Sequence, residues 1–186
     1  MNKEHQLLQQ AQQLKHEALA EIYDLYSPEL YRYAIRLMND EDLAEDCVAE
    51  TFSRFLYALN NSGGPQTHLR AYLYRIAHNW VTDQYRRQPP LQQFEDIEWQ
   101  EDPNSSTPKK VDEKIEREIV RTALRYLTPD QRQVVILKFL EGWSNTEIAE
   151  TLNKPVGAIK SLQHRALGAL RRMLVEEGEN YGIEQP

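Results

Sequence analysis

The stretch Ser144-Asn145-Thr146-Glu147-Ile148-Ala149-Glu150-Thr151-Leu152-Asn153-Lys154-Pro155-Val156-Gly157-Ala158-Ile159-Lys160-Ser161 decides how the chain is read. Ser144 followed three residues later by Glu147 is a capping box, which opens a short helix carrying Ile148, Ala149 and Leu152. Asn153-Lys154-Pro155 makes a turn of the length a helix-turn-helix uses, and Asn153 suits the left-handed position usually given to glycine. The small Ala149 lets two helices cross closely, and Ile159 falls where the second helix must bury an anchor. That helix runs on to about Leu174.

Just upstream, Thr128-Pro129-Asp130-Gln131 supplies a cap, a proline at the first helical position and a second capping box. The helix it starts holds Val134, Val135, Leu137 and Leu140 and closes near Glu141-Gly142. On the wheel of the last helix, Ile159, Leu162, Ala166, Ala169, Leu170 and Met173 share one stripe. Lys160, Ser161, His164 and Arg171 lie opposite, with Arg165 and Arg172 on the shoulder. No acid lies between Glu150 and Glu176, although the 186-residue chain carries a net charge of −7. A local cationic face inside an acidic protein fits docking in a DNA major groove better than general adhesion to polyanions.

Working outward, nearly everything else also reads as helix, and no Val-, Ile- or Thr-rich alternating run supports a strand. Ser27-Pro28 reads as a cap and first helical proline, followed by Leu30, Tyr33, Ala34 and Leu37. A helix from about Asp40 to Leu59 ends at the breaker Asn60-Asn61-Ser62-Gly63-Gly64-Pro65. Another spans roughly Leu69 to Arg87 and stops before Pro89-Pro90. Residues 91–112, with 2 basic and 6 acidic side chains and scattered Pro and Ser, read as a flexible acidic linker. The expected fold is therefore all-α, with two small helical domains of about 90 and 70 residues either side of that linker. The boundaries are an N-terminal helical extension at 1–17, domains at 18–90 and 113–176, and an acidic tail at 177–186.

Two faces of the first domain carry polar chemistry. On the helix from Asp40 to Leu59, Val48, Phe52, Phe55 and Leu59 form the core stripe, and Leu43, Asp46, Cys47, Glu50, Ser53 and Tyr57 lie on the other side. Acids at a helix start complement its dipole, and a solvated face would explain them. Apolar side chains set among carboxylates equally suit docking of a basic protein partner. On the next helix the expected buried stripe is Leu69, Tyr72, Leu73, Ile76 and Trp80. Arg75, Asn79, Thr82 and Arg86 form a polar stripe with Tyr74, His78 and Tyr85 beside it. Aromatics beside arginines suit single-stranded nucleic acid, and they equally suit a small helical core.

Other classes find less support. The five histidines (His5, His16, His68, His78, His164) show no metal-ligand spacing, and no Gly-rich phosphate loop or nucleophile motif occurs, so neither an enzyme nor a cofactor is expected. The single cysteine, Cys47, excludes an intramolecular disulfide and a cysteine zinc site. No run reaches the ~20 apolar residues of a membrane span, and the first residues lack the pattern of a signal peptide, so a cytoplasmic protein without membrane contact is expected. A helix-turn-helix regulator acting alone would account for residues 128–174 and leave the first domain unused.

Leu19-Ala20-Glu21-Ile22-Tyr23-Asp24-Leu25-Tyr26, Leu30-Tyr31-Arg32-Tyr33-Ala34 and Ala44-Glu45-Asp46-Cys47-Val48-Ala49-Glu50-Thr51-Phe52 resemble the first domain of extracytoplasmic-function sigma factors of the sigma-70 family. Leu73-Tyr74-Arg75-Ile76-Ala77-His78-Asn79 with Tyr85-Arg86-Arg87 is similar to that family's promoter-melting helix, and Leu127 to Arg132 with Glu147 to Arg165 to its second domain. The resemblance covers about residues 18–175. It implies an alternative sigma factor made of a region 2 bundle and a region 4 helix-turn-helix, whose partners are bacterial core RNA polymerase, promoter DNA and an anti-sigma factor. No small-molecule substrate is implied. Leu43, Asp46, Glu50, Phe52 and Tyr57 would then dock on polymerase, with Ala49 standing where the family usually has Gln. Asn60, Asn61, His68, Arg75, Asn79, Arg86 and Arg87 would hold the minus-ten strand, the loop 60–68 taking a flipped base. Lys160, Ser161, His164, Arg165 and Arg171 would read the minus-thirty-five element, and the acidic linker would thread polymerase channels.

Overall fold

The computed structural model describes residues 3–61, 63–87, 119–120 and 122–180, the last seven by backbone alone. The expected linker at 91–112 and the tail at 181–186 lie outside the described residues. Within them every regular element is helical. The first unit comprises α1 (Lys3–Gln12), α2 (His16–Met38), α3 (Glu41–Asn60) and α4 (Leu69–Arg87). The second comprises α5 (Pro129–Val135), which continues as a π-turn over Ile136–Leu140, then α6 (Asn145–Leu152) and α7 (Val156–Asn180).

Ser27-Pro28 does not start a helix, because α2 runs straight through it. Pro28 lies on the exposed side, where the carbonyl its missing N–H leaves unpaired can take water. Ile22, Tyr26, Leu30 and Tyr33 bury a continuous stripe across the site and hold the two halves as one helix. The helix ends at Asn39 (φ 55°), whose N–H returns to the Ile35 carbonyl at 2.9 Å. The next residue, Asp40, caps α3 by accepting the Leu43 N–H at 2.9 Å.

α3 packs between α2 and α4. The expected stripe Val48, Phe52, Phe55 and Leu59 is buried. Cys47, expected on the outer face, is fully buried instead, together with Ala44 and Thr51. Cys47 meets Ala77 of α4, its thiol lying 3.9 Å from the Ala77 carbonyl, so the two helices approach closely there. The α4 stripe is also rotated from expectation. Tyr74, Ala77, His78 and Val81 join Leu69, Leu73 and Trp80 in the interior, while Tyr72 and Ile76 are only half-buried.

In the second unit both capping boxes are made. Thr128 and Gln131 exchange hydrogen bonds at 3.1 and 3.4 Å, and Ser144 and Glu147 at 2.7 and 3.2 Å. Val134, Val135, Ile136 and Leu137 are buried in succession, while Leu140 is 39% exposed. The chain closes this run with a wide turn, the Glu141 N–H reaching back to the Ile136 carbonyl at 3.0 Å. Asn153 adopts the left-handed turn (φ 50°, ψ 47°), with Ala149 and Ile159 buried on either side of it.

The two units pack directly on one another through α4. Glu141, whose side chain is 6% exposed, accepts from Arg36 at 2.7 Å and from the Tyr74 hydroxyl at 3.2 Å, with Arg70 at 3.6 Å. The Trp143 ring packs against Tyr74 at a tilt of 56° and 4.8 Å between centres, and the Arg70 guanidinium lies 4.9 Å over the Trp143 ring. Buried Arg132 spans the boundary, donating to the Leu124 and Leu127 carbonyls of its own unit and to the Leu37 carbonyl at the end of α2.

Candidate nucleic-acid interface

The cationic face of α7 stands outward as the wheel expects. Lys160, Ser161, His164, Arg165 and Arg171 are all exposed on α7, and Ile159, Leu162, Ala166 and Met173 are buried beneath. The Ser161 hydroxyl donates to the Gly157 carbonyl at 3.0 Å, and Arg165 Nε to the Ser161 carbonyl at 3.3 Å, so both side chains lie along the helix. Gln163 is tied to Asn145 at 2.7 Å, which fixes the crossing of α6 and α7. Sequence reasoning passed over Val156 and Gly157, which are exposed in the first turn, where a groove-docked helix meets DNA. Their position right after the Asn153 turn was the signal available.

On α4 the polar stripe stands outward, with Arg75, Asn79, Arg86 and Arg87 exposed and Thr82 half-buried. The three aromatic side chains expected beside it do not line this face. Tyr74 and His78 are buried against the second unit, and the Tyr85 hydroxyl donates to the Leu37 carbonyl. Burial, opposed by Asp130 and aided by Lys154, pushes His78 down to about 4, so its ring is neutral at pH 7. Burial, reinforced by the Glu141 charge and opposed by Arg70, raises Tyr74 and keeps its hydroxyl protonated as a donor. The aromatic side chain that does accompany the arginines is Tyr72, whose ring lies 5.4 Å beneath the Arg75 guanidinium.

The loop between α3 and α4 displays Asn60, Asn61 and His68, and also Gln66 and Thr67, which sequence reasoning did not single out. Gly64 takes φ 91°, and a Cβ there would sit 3.1 Å from Leu59 Cδ2, so the breaker needs glycine at this point. Pro65 is buried and anchors the loop. Residues 64–68 with Ala71, Tyr72 and Arg75 form one wall of a cleft of about 440 Å³, and Glu150 and Thr151 of α6 form the other. Asn60 and Asn61 lie outside that cleft, and the Asn61 amide is spent on the Tyr57 carbonyl at 2.7 Å.

The acidic face of α3 is split. Asp46 is exposed, Glu50 pairs with Arg54 at 2.7 Å, Leu43 is half-buried and Tyr57 is 74% exposed. Phe52 is 7% exposed and covered by the Tyr23 ring at 4.8 Å, so it supports this surface from beneath rather than offering itself. Tyr23 and Leu25 of α2 and Leu56 of α3 are exposed apolar side chains that sequence reasoning did not single out. Among the described residues no cluster of metal-ligating side chains occurs, and no helix is long and apolar enough to cross a membrane.

Residues 22–89 match the family described as Sigma-70 region 2, and residues 117–170 match Sigma-70, region 4. The ECF RNA polymerase sigma factor SigL of Mycobacterium tuberculosis is 33% identical over 157 residues, which span 84% of this chain and 89% of that protein. The ECF RNA polymerase sigma factor SigX of Bacillus subtilis is 30% identical over 157 residues, 81% of this chain and 80% of that one. The fold is similar to CnrH in its complex with the cytosolic domain of CnrY (TM-score 0.71, 24% identity, 92% of this chain and 97% of that one). It is also similar to the sigma factor RpoE of Bartonella quintana in complex with the anti-sigma factor NepR (TM-score 0.61, 27% identity, 83% and 95%).

Proposed function

This chain belongs to the extracytoplasmic-function sigma factors of the sigma-70 family, and from that premise we propose how its exposed faces divide the work of transcription initiation. It is a sigma factor, not an enzyme, and it directs core RNA polymerase to promoter DNA. Control by an anti-sigma factor is supported by the complexes in which its structural relatives occur.

The α3 face with Asp46, Glu50, Leu43 and Tyr57 takes the polymerase. The loop 60–68 and the stripe Arg75, Asn79, Arg86 and Arg87 hold the opened minus-ten strand. Lys160, Ser161, His164, Arg165 and Arg171 read the minus-thirty-five duplex. The observation carrying this division is that two outward cationic stripes, on α4 and α7, sit in one chain of net charge −7. Each is a weak DNA site alone, and polymerase makes them strong together by fixing their spacing, which raises the effective concentration of one once the other is bound. Strand opening is driven by trapping unstacked bases, each stacking contact worth roughly 1–3 kcal/mol. The acidic remainder discourages the unbound factor from engaging DNA. Working with polymerase, the factor acts in the cytoplasm.

The test is retention on purified bacterial core polymerase, with Asp46→Arg as the comparison. Retention of the native chain and its loss in Asp46→Arg supports the assignment of α3. Equal retention of both removes Asp46 from the docking face. A chain that shifts duplex DNA by itself and ignores polymerase sinks the whole reading.

A further inference from the structure

Apart from the buried Pro65, the loop that faces the cleft has few bonds of its own to hold it in place. Gly63 N–H returns to the Ala58 carbonyl at 2.8 Å, and Tyr72 N–H reaches the His68 carbonyl at 3.0 Å. Among the described residues, no backbone-to-backbone hydrogen bond involves residues 64–67. Two bonds from a distant part of the chain fill the gap. Gln12 Nε2 donates to the Pro65 carbonyl at 2.9 Å, and a Glu4 carboxylate oxygen accepts the Arg70 N–H at 3.3 Å, in the first turn of α4. Both residues belong to α1, the extension whose purpose the sequence leaves open.

α1 is built to hold these groups still. Leu7, Leu8 and Ala11 are 6%, 1% and 0% exposed in the shared core, so the helix cannot slide without losing that packing. Lys3 adds a surface pair with Glu21 of α2 at 2.8 Å. Gln12 is half-buried at the end of this anchored helix, one residue past Ala11. It satisfies the Pro65 carbonyl, for which no other partner is seen among the described residues, and an unpaired carbonyl there would be costly. Glu4 places a negative charge at the positive end of α4, where the helix has free N–H groups.

We propose that α1 positions the strand-capturing loop: Gln12 and Glu4 set where residues 64–68 stand relative to Arg75 and Asn79, and thereby which base the holoenzyme selects. This rests on the reading of the loop given above. Gln12 touches no DNA in this account and is a positioning residue. Losing one such hydrogen bond is expected to relax base selection by about threefold to tenfold.

The experiment uses the full chain, reconstituted with bacterial core polymerase, to transcribe a random-sequence promoter library. The readout is base enrichment at each promoter position. Gln12→Ala and Gln12→Leu should flatten enrichment at the minus-ten positions by that factor, leaving minus-thirty-five enrichment and core retention as in the parent. Gln13→Ala, an exposed neighbour, should change nothing. Arg75→Ala tests the loop reading itself. If Arg75→Ala weakens minus-ten enrichment and both Gln12 variants match the parent, α1 has no positioning role. If Arg75→Ala is also without effect, the assignment of this face to the minus-ten strand fails first. A Gln12 variant that lowers enrichment equally at both elements, or lowers core retention, overturns the proposal by revealing a general loss of structure.

Discussion

Glu141→Gln removes one negative charge from a site that holds two guanidinium groups and a phenol. The carboxylate is nearly inaccessible, and it accepts from Arg36 at 2.7 Å and Tyr74 at 3.2 Å with Arg70 at 3.6 Å. Breaking a fully buried ion pair costs about 3–5 kcal/mol. The arginines here are not fully buried: the Arg36 and Arg70 side chains are 31% and 35% exposed, and Arg70 keeps Glu29 at 3.0 Å. Water can therefore recover part of the loss, and about 2 kcal/mol is the reasonable expectation. That shifts the balance between packed and separated units by about thirtyfold. Two fluorophores would report it, one attached at Ser53→Cys on α3 and one at Lys160→Cys on α7, both positions exposed and Cys47 being buried. Energy transfer in Glu141→Gln should fall toward that of a chain cut within residues 91–112. Unchanged transfer, together with an unchanged urea midpoint, would refute the claim that this carboxylate holds the units together.

Acid should weaken the native state through His78. Its pKa is about 4 folded against 6.5 unfolded, so the unfolded chain binds the extra proton as pH falls below 6.5, and by pH 5 stability drops by about 2 kcal/mol. The ring faces Asp130 and Lys154, and in His78→Gln this part of the pH slope should disappear from urea titrations. Cys47, its thiol pushed up to about 12 by burial, should react with a thiol reagent at pH 8 no faster than the chain unfolds; rapid labelling would contradict its placement. Asn153→Ala should cost about 1–2 kcal/mol, because alanine lacks asparagine's tolerance of the left-handed turn, whereas Asn153→Gly should be nearly neutral; chemical denaturation separates the two.

What could be read ahead of the structure was chemistry settled within a few residues. Asp40, Thr128, Ser144 and Asn153 each cap or turn through partners at most four positions away, and each does so as the local pattern dictates. The outward faces of α7 and α4 follow from helical periodicity alone. The misreadings share a different cause. Tyr74 and His78 look exposable on an isolated α4; Tyr74 is covered by Tyr33 of α2 and by Trp143, and His78 lies against a unit more than fifty residues later. Cys47 depends on how closely α3 approaches α4, and the π-turn at Ile136–Leu140 on a run of apolar side chains that must all face the interior. Pro28 misled because proline punctuates a helix only where flanking packing does not carry the helix through.

Arg70 has a consequence of another kind. Its guanidinium pairs with Glu29 of α2, approaches Glu141 and lies over Trp143, while the Arg70 backbone N–H donates to Glu4 of α1. Substitutions at these partners will not add: each single change alters the environment the others measure, and double-mutant cycles through Arg70 should return sizeable interaction energies. The same sharing restricts drift in the sequence. A chain that exchanges Arg70 must rebalance side-chain contacts in α2 and in the turn at 141–143 at once, so variation at this position should travel in company rather than alone.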